Sequence, residues 1–194
     1  MIRLAEGVFM WSRFNSEKRF NFNGHILKTS TGTVIVDPVE LTEEDLLYSD
    51  AAGLKPDALV ITNRNHLRSR EQVLARWKIP VVLHEAEVSE AGVHVDRTVK
   101  DGDEVHGLRV VHVPGKSPGE IGLFWPERRV LLLGDALIAP YGKIKTVPDE
   151  KMDDPARLRA SLDKLKALGY DLLLVGDGDP VMTGAKAAVE AFLR

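Results

Sequence analysis

The chain has 194 residues, a net charge of -3 and 44% hydrophobic residues, enough to bury a sizeable core in one domain or two small ones. That charge gives no electrostatic case for nucleic acid or an anionic membrane surface, and no apolar run approaches the roughly 20 residues of a membrane span. There is no cysteine, which excludes disulfides and thiolate metal sites and fits a cytoplasmic location.

The start, "MIRLAEGVFMW", carries Glu6 inside a short apolar run and does not read as a signal peptide. "GVFMW" (7–11), "HILKT" (25–29) and "TVIVD" (33–37) read as strands, with "STG" (30–32) turning between the last two. Thr42 opens a helix, with Asp45 completing an approximate capping box; Gly53 ends it and Pro56 prevents its return. "ALVIT" (58–62) is the unbroken run of a strand buried on both faces. Ser69 and Gln72 read as a second capping box, for a helix to about Trp77, and "PVVLH" (80–84) as the next strand.

The second half repeats this style. "EVHGLRVVHVPG" (104–115), "EIGLFWP" (120–126) and "RVLLLGD" (129–135) read as strands. Asp154, with Pro155 at the first helical position, starts a helix that ends at Gly169. "DLLLVGDGDP" (171–180) is a strand entering a Gly-rich turn, and the last helix covers roughly Thr183 to Leu193. No repeat or linker interrupts residues 1–194, which read as one domain. Each half places strands first and strand–helix units after. This predicts an α/β fold, a four-layer αββα sandwich with two sheets face to face and helices outside.

Five segments, in order, resemble the metallo-β-lactamase superfamily over nearly the whole chain, and most closely its compact glyoxalase II-like members. "IVDP" (35–38) matches a strand ending in Asp, and "TNRNHLR" (62–68) stands where the family has T-H-x-H-x-D-H. "HVPGKSPGEIGLF" (112–124) fits H-x-P-G-H-x-x-G, "LLLGDAL" (131–137) a Gly-Asp strand end, and "VGDGDP" (175–180) a G-H-G turn. The resemblance implies the family's fold and a site for two metals held mainly by five histidines and two aspartates. At those positions this chain has Asn63 and Asn65 for the first two histidines, Leu67 for the aspartate and Arg68 for the next histidine. Lys116 replaces the histidine of the third motif and Asp177 that of the last, so only Asp135 is retained. His112 is the upstream histidine of the third motif, which in the family is not a ligand.

Neutral amide oxygens are poor zinc ligands. Asp135 and Asp177 are hard oxygen donors, suited to magnesium, manganese or calcium, while Lys116 and Arg68 are expected to pair with them and replace the metal's charge. The expectation is therefore that zinc and any other cofactor are absent. The chain would serve as a non-hydrolytic ligand-binding or interaction domain, its small-molecule or protein partner unnamed. A divergent hydrolase is the alternative, with Asp135 and Asp177 on a hard metal or, with Lys116 or His66, in acid–base work. An ordinary zinc hydrolase is the third. His66 is one residue off the ligand pattern and reads as an exposed loop histidine. Asn63 and Asn65 read equally well as turn residues. Two loops, "WSRFNSEKRFN" (11–21) and "PYGKIKT" (140–146), offer Trp11, Arg13, Tyr141 and Lys143 as candidates to hold a ligand, or else form a hairpin with aromatics turned inward.

Overall fold

The unbroken apolar runs are strands buried on both faces, and their alternation builds the layers. The computed structural model describes residues 1–194. A seven-stranded sheet takes β1 (Ile2–Ala5), β2 (Val8–Asn15), β3 (Phe20–Lys28), β4 (Thr33–Val36), β5 (Ala58–Val60), β6 (Val81–His84) and β7 (Arg97–Val99) in chain order. A five-stranded sheet holds β8 (Glu104–Val105), β9 (Leu108–His112), β10 (Ile121–Trp125), β11 (Val130–Leu133) and β12 (Leu172–Val175), in the order β12-β11-β10-β9-β8. The helices are α1 (Glu43–Ala51), α2 (Arg70–Trp77), α3 (Val88–Ala91), α4 (Pro155–Leu162) and α5 (Ala185–Phe192).

Side chains on a strand alternate between faces. Val34 and Val36 of β4, Val130 and Leu132 of β11, and Leu172 and Leu174 of β12 meet in a core between the sheets. Their neighbours point outward. Ile35 and Leu59 pack with Val73 of α2 and Ala91 of α3. Leu131, Leu133 and Leu173 pack with Leu158 and Leu162 of α4 and Val189 of α5. Each fully buried side chain of this kind contributes about 1.5–3 kcal/mol relative to exposure. The result is the expected αββα sandwich. No helix is long and apolar enough to cross a membrane.

Several local expectations change. β1 and β7 are short strands at the two margins of the larger sheet, partly exposed, and carried no periodic signal. The run 104–115 breaks into β8 and β9 at His106 and Gly107, whose φ values of 48° and 77° make a two-residue hairpin turn. Thr42 and Asp45 form their capping box, but Ser69 makes no side-chain cap. Gln72 instead accepts from the Leu41 N–H and donates to the Leu41 carbonyl, tying α2 to the segment before α1.

β2 and β3 pair from Val8↔Leu27 out to Asn15↔Phe20. At its far end β3 also reaches the other sheet: the Asn23 N–H donates to Gly176 O and the Gly178 N–H to Asn21 O, both at 2.8 Å. The hairpin thereby walls one side of the edge where β4, β5, β11 and β12 end.

Candidate metal centre

Asp37 follows β4 with φ of 48°, a conformation Asp tolerates better than most residues. Its carboxylate accepts from the Thr62 N–H at 2.8 Å and from Thr62 Oγ1 at 2.6 Å. Thr62 closes β5's run, so the ends of two parallel strands are locked by one acid. Next, Asn63 Oδ1 accepts from the Asn65 N–H and caps a single 3-10 turn, Arg64–His66. That turn swings His66 inward. Its Nδ1 donates to Asp37 Oδ2 at 2.7 Å and its Nε2 to Asp135 Oδ1 at 3.1 Å.

Asp135 arrives on the turn after β11 and Asp177 on the turn after β12. Glycines precede both for steric reasons. A Cβ at Gly134 would lie 2.2 Å from Thr62 Oγ1, and one at Gly176 2.6 Å from His66 Cε1. Asp135 is also paired with Lys116, whose Nζ is 3.1 Å from Oδ2. The Arg68 guanidinium donates to Asp177 Oδ1 at 2.9 Å and lies over the Phe22 ring at 4.3 Å. Both expected cation–carboxylate pairs are therefore formed.

The position of His66 corrects the reading of an exposed loop histidine: it is 1% exposed and central to the cluster. The one-residue offset from the ligand pattern hid it: in a 3-10 turn each residue is rotated by about 120° from the last, and here the face turned inward is that of residue 66 and not that of Asn65. Among the family positions, Asn63, Lys116, Asp135 and Asp177 are buried, whereas Arg68 and Leu67 are half-buried and Asn65 is exposed. The loop candidates divide. Trp11 is buried and donates from Nε1 to Val39 O, and Arg13 is paired with Asp45, which also holds the N-terminal ammonium. Tyr141 and Lys143 are exposed, and the Tyr141 hydroxyl donates to Arg19 O, joining the two loops at their surface.

Electrostatics follow from burial against charge. Burial by itself would lower the His66 imidazolium, but Asp135 and Asp37 on either side push it up to about 10. Burial would raise Asp135, but His66 and Lys116 hold it well below the usual carboxylate range. Asp177 is raised, chiefly by burial and with the nearby Asp135 adding to it, despite His66 and Arg68. Glu120, fully buried with one oxygen near the Ala136 N–H, is raised well above its ordinary value by burial and by the nearby Asp135.

The expected absence of zinc and of any cofactor is overturned by this geometry. Ligand atoms of His66, Asp135 and Asp177 all lie within 4.8 Å of one another. The 3.1 Å between His66 Nε2 and Asp135 Oδ1 matches two adjacent ligands each about 2.1–2.2 Å from one ion. A buried carboxylate on the remote histidine nitrogen is the usual device that fixes a ligating imidazole, and Asp37 is placed to be that device. One nitrogen and two carboxylates suit a borderline to hard divalent ion.

The αββα sandwich thus brings a possible His–Asp–Asp donor set to one edge, where its strands end. The family model described as "Metallo-beta-lactamase superfamily" matches residues 4–192, and the chain belongs to that superfamily. A hydroxyacylglutathione hydrolase from Brucella ovis is 28% identical over 190 residues, covering 89% of this chain and 71% of that protein. A linear primary-alkylsulfatase from a Pseudomonas species is 37% identical over 93 residues, 46% of this chain but 17% of that enzyme. A Brucella anthropi hydroxyacylglutathione hydrolase is matched over 47% of its length. Among solved structures, TTHA1623, crystallised in a di-iron-bound form, aligns with a TM-score of 0.76 at 24% identity, covering 94% of this chain and 99% of that one. A metallo-β-lactamase from Erythrobacter litoralis aligns at 0.79 and 20% identity, covering 99% and 93%. At these identities the structures speak to the fold.

Proposed function

We propose that this chain is a divergent hydrolase whose working site is a single divalent-metal centre held by His66, Asp135 and Asp177. The observation that carries this reading is the buried line Asp37–His66–Asp135. Asp37 is itself fixed by two bonds from Thr62, so the imidazole has one orientation, with Nε2 toward Asp135. Nε2 carries a proton between the two carboxylates, and coordination requires that it leave. Lys116 holds Asp135 Oδ2, so that Oδ1, the oxygen His66 Nε2 faces, is the one that would meet the ion, and Arg68 holds Asp177 Oδ1 and leaves Oδ2. A divalent ion bound there supplies Lewis acidity toward a carbonyl, sulfuryl or phosphoryl oxygen and lowers the pKa of a bound water. The hydrolase names of the relatives support the reaction class. The losses at Asn63, Asn65, Leu67 and Arg68 support one ion rather than two.

A second reading, binding or interaction without hydrolysis, is favoured by the closure of the site. Lys116 is 6%, Asp135 7% and Asp177 8% exposed. A cavity of about 450 Å³ lies elsewhere, around Gly7, Lys28 and Trp125 at the opposite ends of the strands.

The test is metal content after reconstitution with manganese, ferrous iron or zinc, followed by assay on thioester, sulfate-ester and phosphodiester substrates. The expected result is one ion per chain, lost in His66→Ala, and metal-dependent turnover of one ester class. Wild-type protein that takes up less than about a tenth of an ion with each metal refutes the centre. One ion per chain with no turnover on any ester class selects the second reading.

A further inference from the structure

We infer that Glu87 is a positioning residue that fixes the loop carrying His66 against the loop carrying Lys116. The inference rests on the proposed metal centre for its functional meaning. Glu87 ends the short 3-10 turn after β6 and is 0% exposed. Its two oxygens serve two different loops: Oε2 accepts from the Arg64 N–H at 3.1 Å, and Oε1 from the Gly119 N–H at 2.7 Å. Arg64 is two residues before His66, and Gly119 three after Lys116. One buried carboxylate thus spans the two segments whose side chains meet at Asp135.

The surroundings are built for this contact. A Cβ on Gly119 would lie 2.6 Å from Glu87 Cγ and 2.9 Å from His84 Nδ1, so the loop docks only because residue 119 has no side chain. The His84 and His112 rings stack at 4.0 Å. His112 Nε2 donates to Pro118 O at 2.9 Å, holding the residue before Gly119. The Arg64 guanidinium adds ion pairs to Glu90 and Asp153 at 3.0 and 2.7 Å, and the Asp153 N–H donates to Lys116 O. The proposed ion uses neither Glu87 nor the histidine pair, yet both brace the backbone that carries Lys116.

Glu87→Gln tests this, because it keeps the side-chain volume but offers an N–H where one loop amide needs an acceptor. Two measurements are made on the full chain. In the first, manganese binding is followed by electron paramagnetic resonance in the Lys116→Ala background, where no ammonium at position 116 repels the ion; Glu87→Gln is expected to weaken it about tenfold by loosening the loop that carries His66, and an unchanged affinity overturns the inference. In the second, without metal, the destabilisation caused by Lys116→Ala is measured with Glu87 present and with Glu87→Gln. A positioning role predicts that this loss shrinks by about half or more in the Gln background, since Lys116 no longer sits squarely on Asp135. Equal losses in both backgrounds overturn the inference, because a residue that merely stabilises the fold adds independently. If wild-type protein binds no manganese, the metal reading falls and the metal-free cycle still decides the role of Glu87.

Discussion

Lys116 shows how one residue can be good for the fold and bad for the ligand. Its ammonium faces Asp135 with both side chains under 10% exposed. Removing one partner of such a buried pair costs about 3–5 kcal/mol, and the lower end applies because His66 still faces the same carboxylate. A cation a few ångströms from a divalent ion also repels it. Lys116→Ala is therefore expected to lower unfolding stability by about 3 kcal/mol in urea and to tighten manganese binding at least about tenfold. Opposite signs in one variant are the signature; a variant that loses both stability and affinity contradicts the charge argument. The pairing itself was legible in the sequence, since Lys116, Arg68, Asp135 and Asp177 all fall at resemblance positions. What was not legible was the histidine that meets Asp135 from the other side. His66 lies off the ligand spacing, and only the capped turn at Asn63 reveals that its ring faces inward.

At the scale of elements, the centre depends on how strand ends are tied together, and β3 supplies a tie of its own. Asn23 is 0% exposed; its amide nitrogen donates to Val175 O at 2.9 Å and to Gly178 O at 2.7 Å, while its oxygen accepts from Ser12 Oγ. The turn that presents Asp177 is thus pinned to the hairpin wall by one side chain. Asn23→Ala strands two carbonyls, each worth about 1–3 kcal/mol when buried and unpaired, less whatever water relieves. The expected loss is about 2–3 kcal/mol, with faster amide exchange across residues 175–179 and little change in α1. Protection of that turn equal to wild type would show that backbone bonds alone hold it. Elements of this kind divide by legibility. Strands with two apolar faces, such as β4, β11 and β12, announce themselves as unbroken runs. The two-faced signal fails for β1 and β7, which are partly exposed at the sheet margins, and for the β8–β9 turn. There His106 takes a positive φ that Asn or Gly would normally signal. Ser69 and Gln72 fit the spacing of a capping box, but Gln72 finds a better use in the Leu41 backbone.

The whole molecule carries a polar fault line between its sheets, and its cost depends on pH. His25 sits on β3 opposite Val36, and Leu27 two residues on shares its face; both neighbours belong to the inter-sheet core. The imidazole is 0% exposed and neither ring nitrogen has a protein partner. Burial is the chief reason its pKa falls to about 4, with His66 lowering it further and Asp37 opposing. Below about 6.5 the unfolded chain takes up a proton that the folded chain refuses until pH falls to about 4. This contribution to stability is therefore complete above the unfolded value and is lost as pH drops through the window from about 6.5 to about 4, below which this group adds no further change. The shift is worth on the order of 3 kcal/mol. His25→Leu replaces the ring with an apolar side chain that the neighbouring Leu27 and Val36 already favour, and it has nothing to protonate. The stability difference between His25→Leu and wild type, measured by urea unfolding at pH 7, 5.5 and 4, is expected to grow steadily in favour of the variant as pH falls. A difference that stays constant over that range would mean the folded protein takes up the proton as readily as the unfolded chain, with Asp37 offsetting the desolvation by the core.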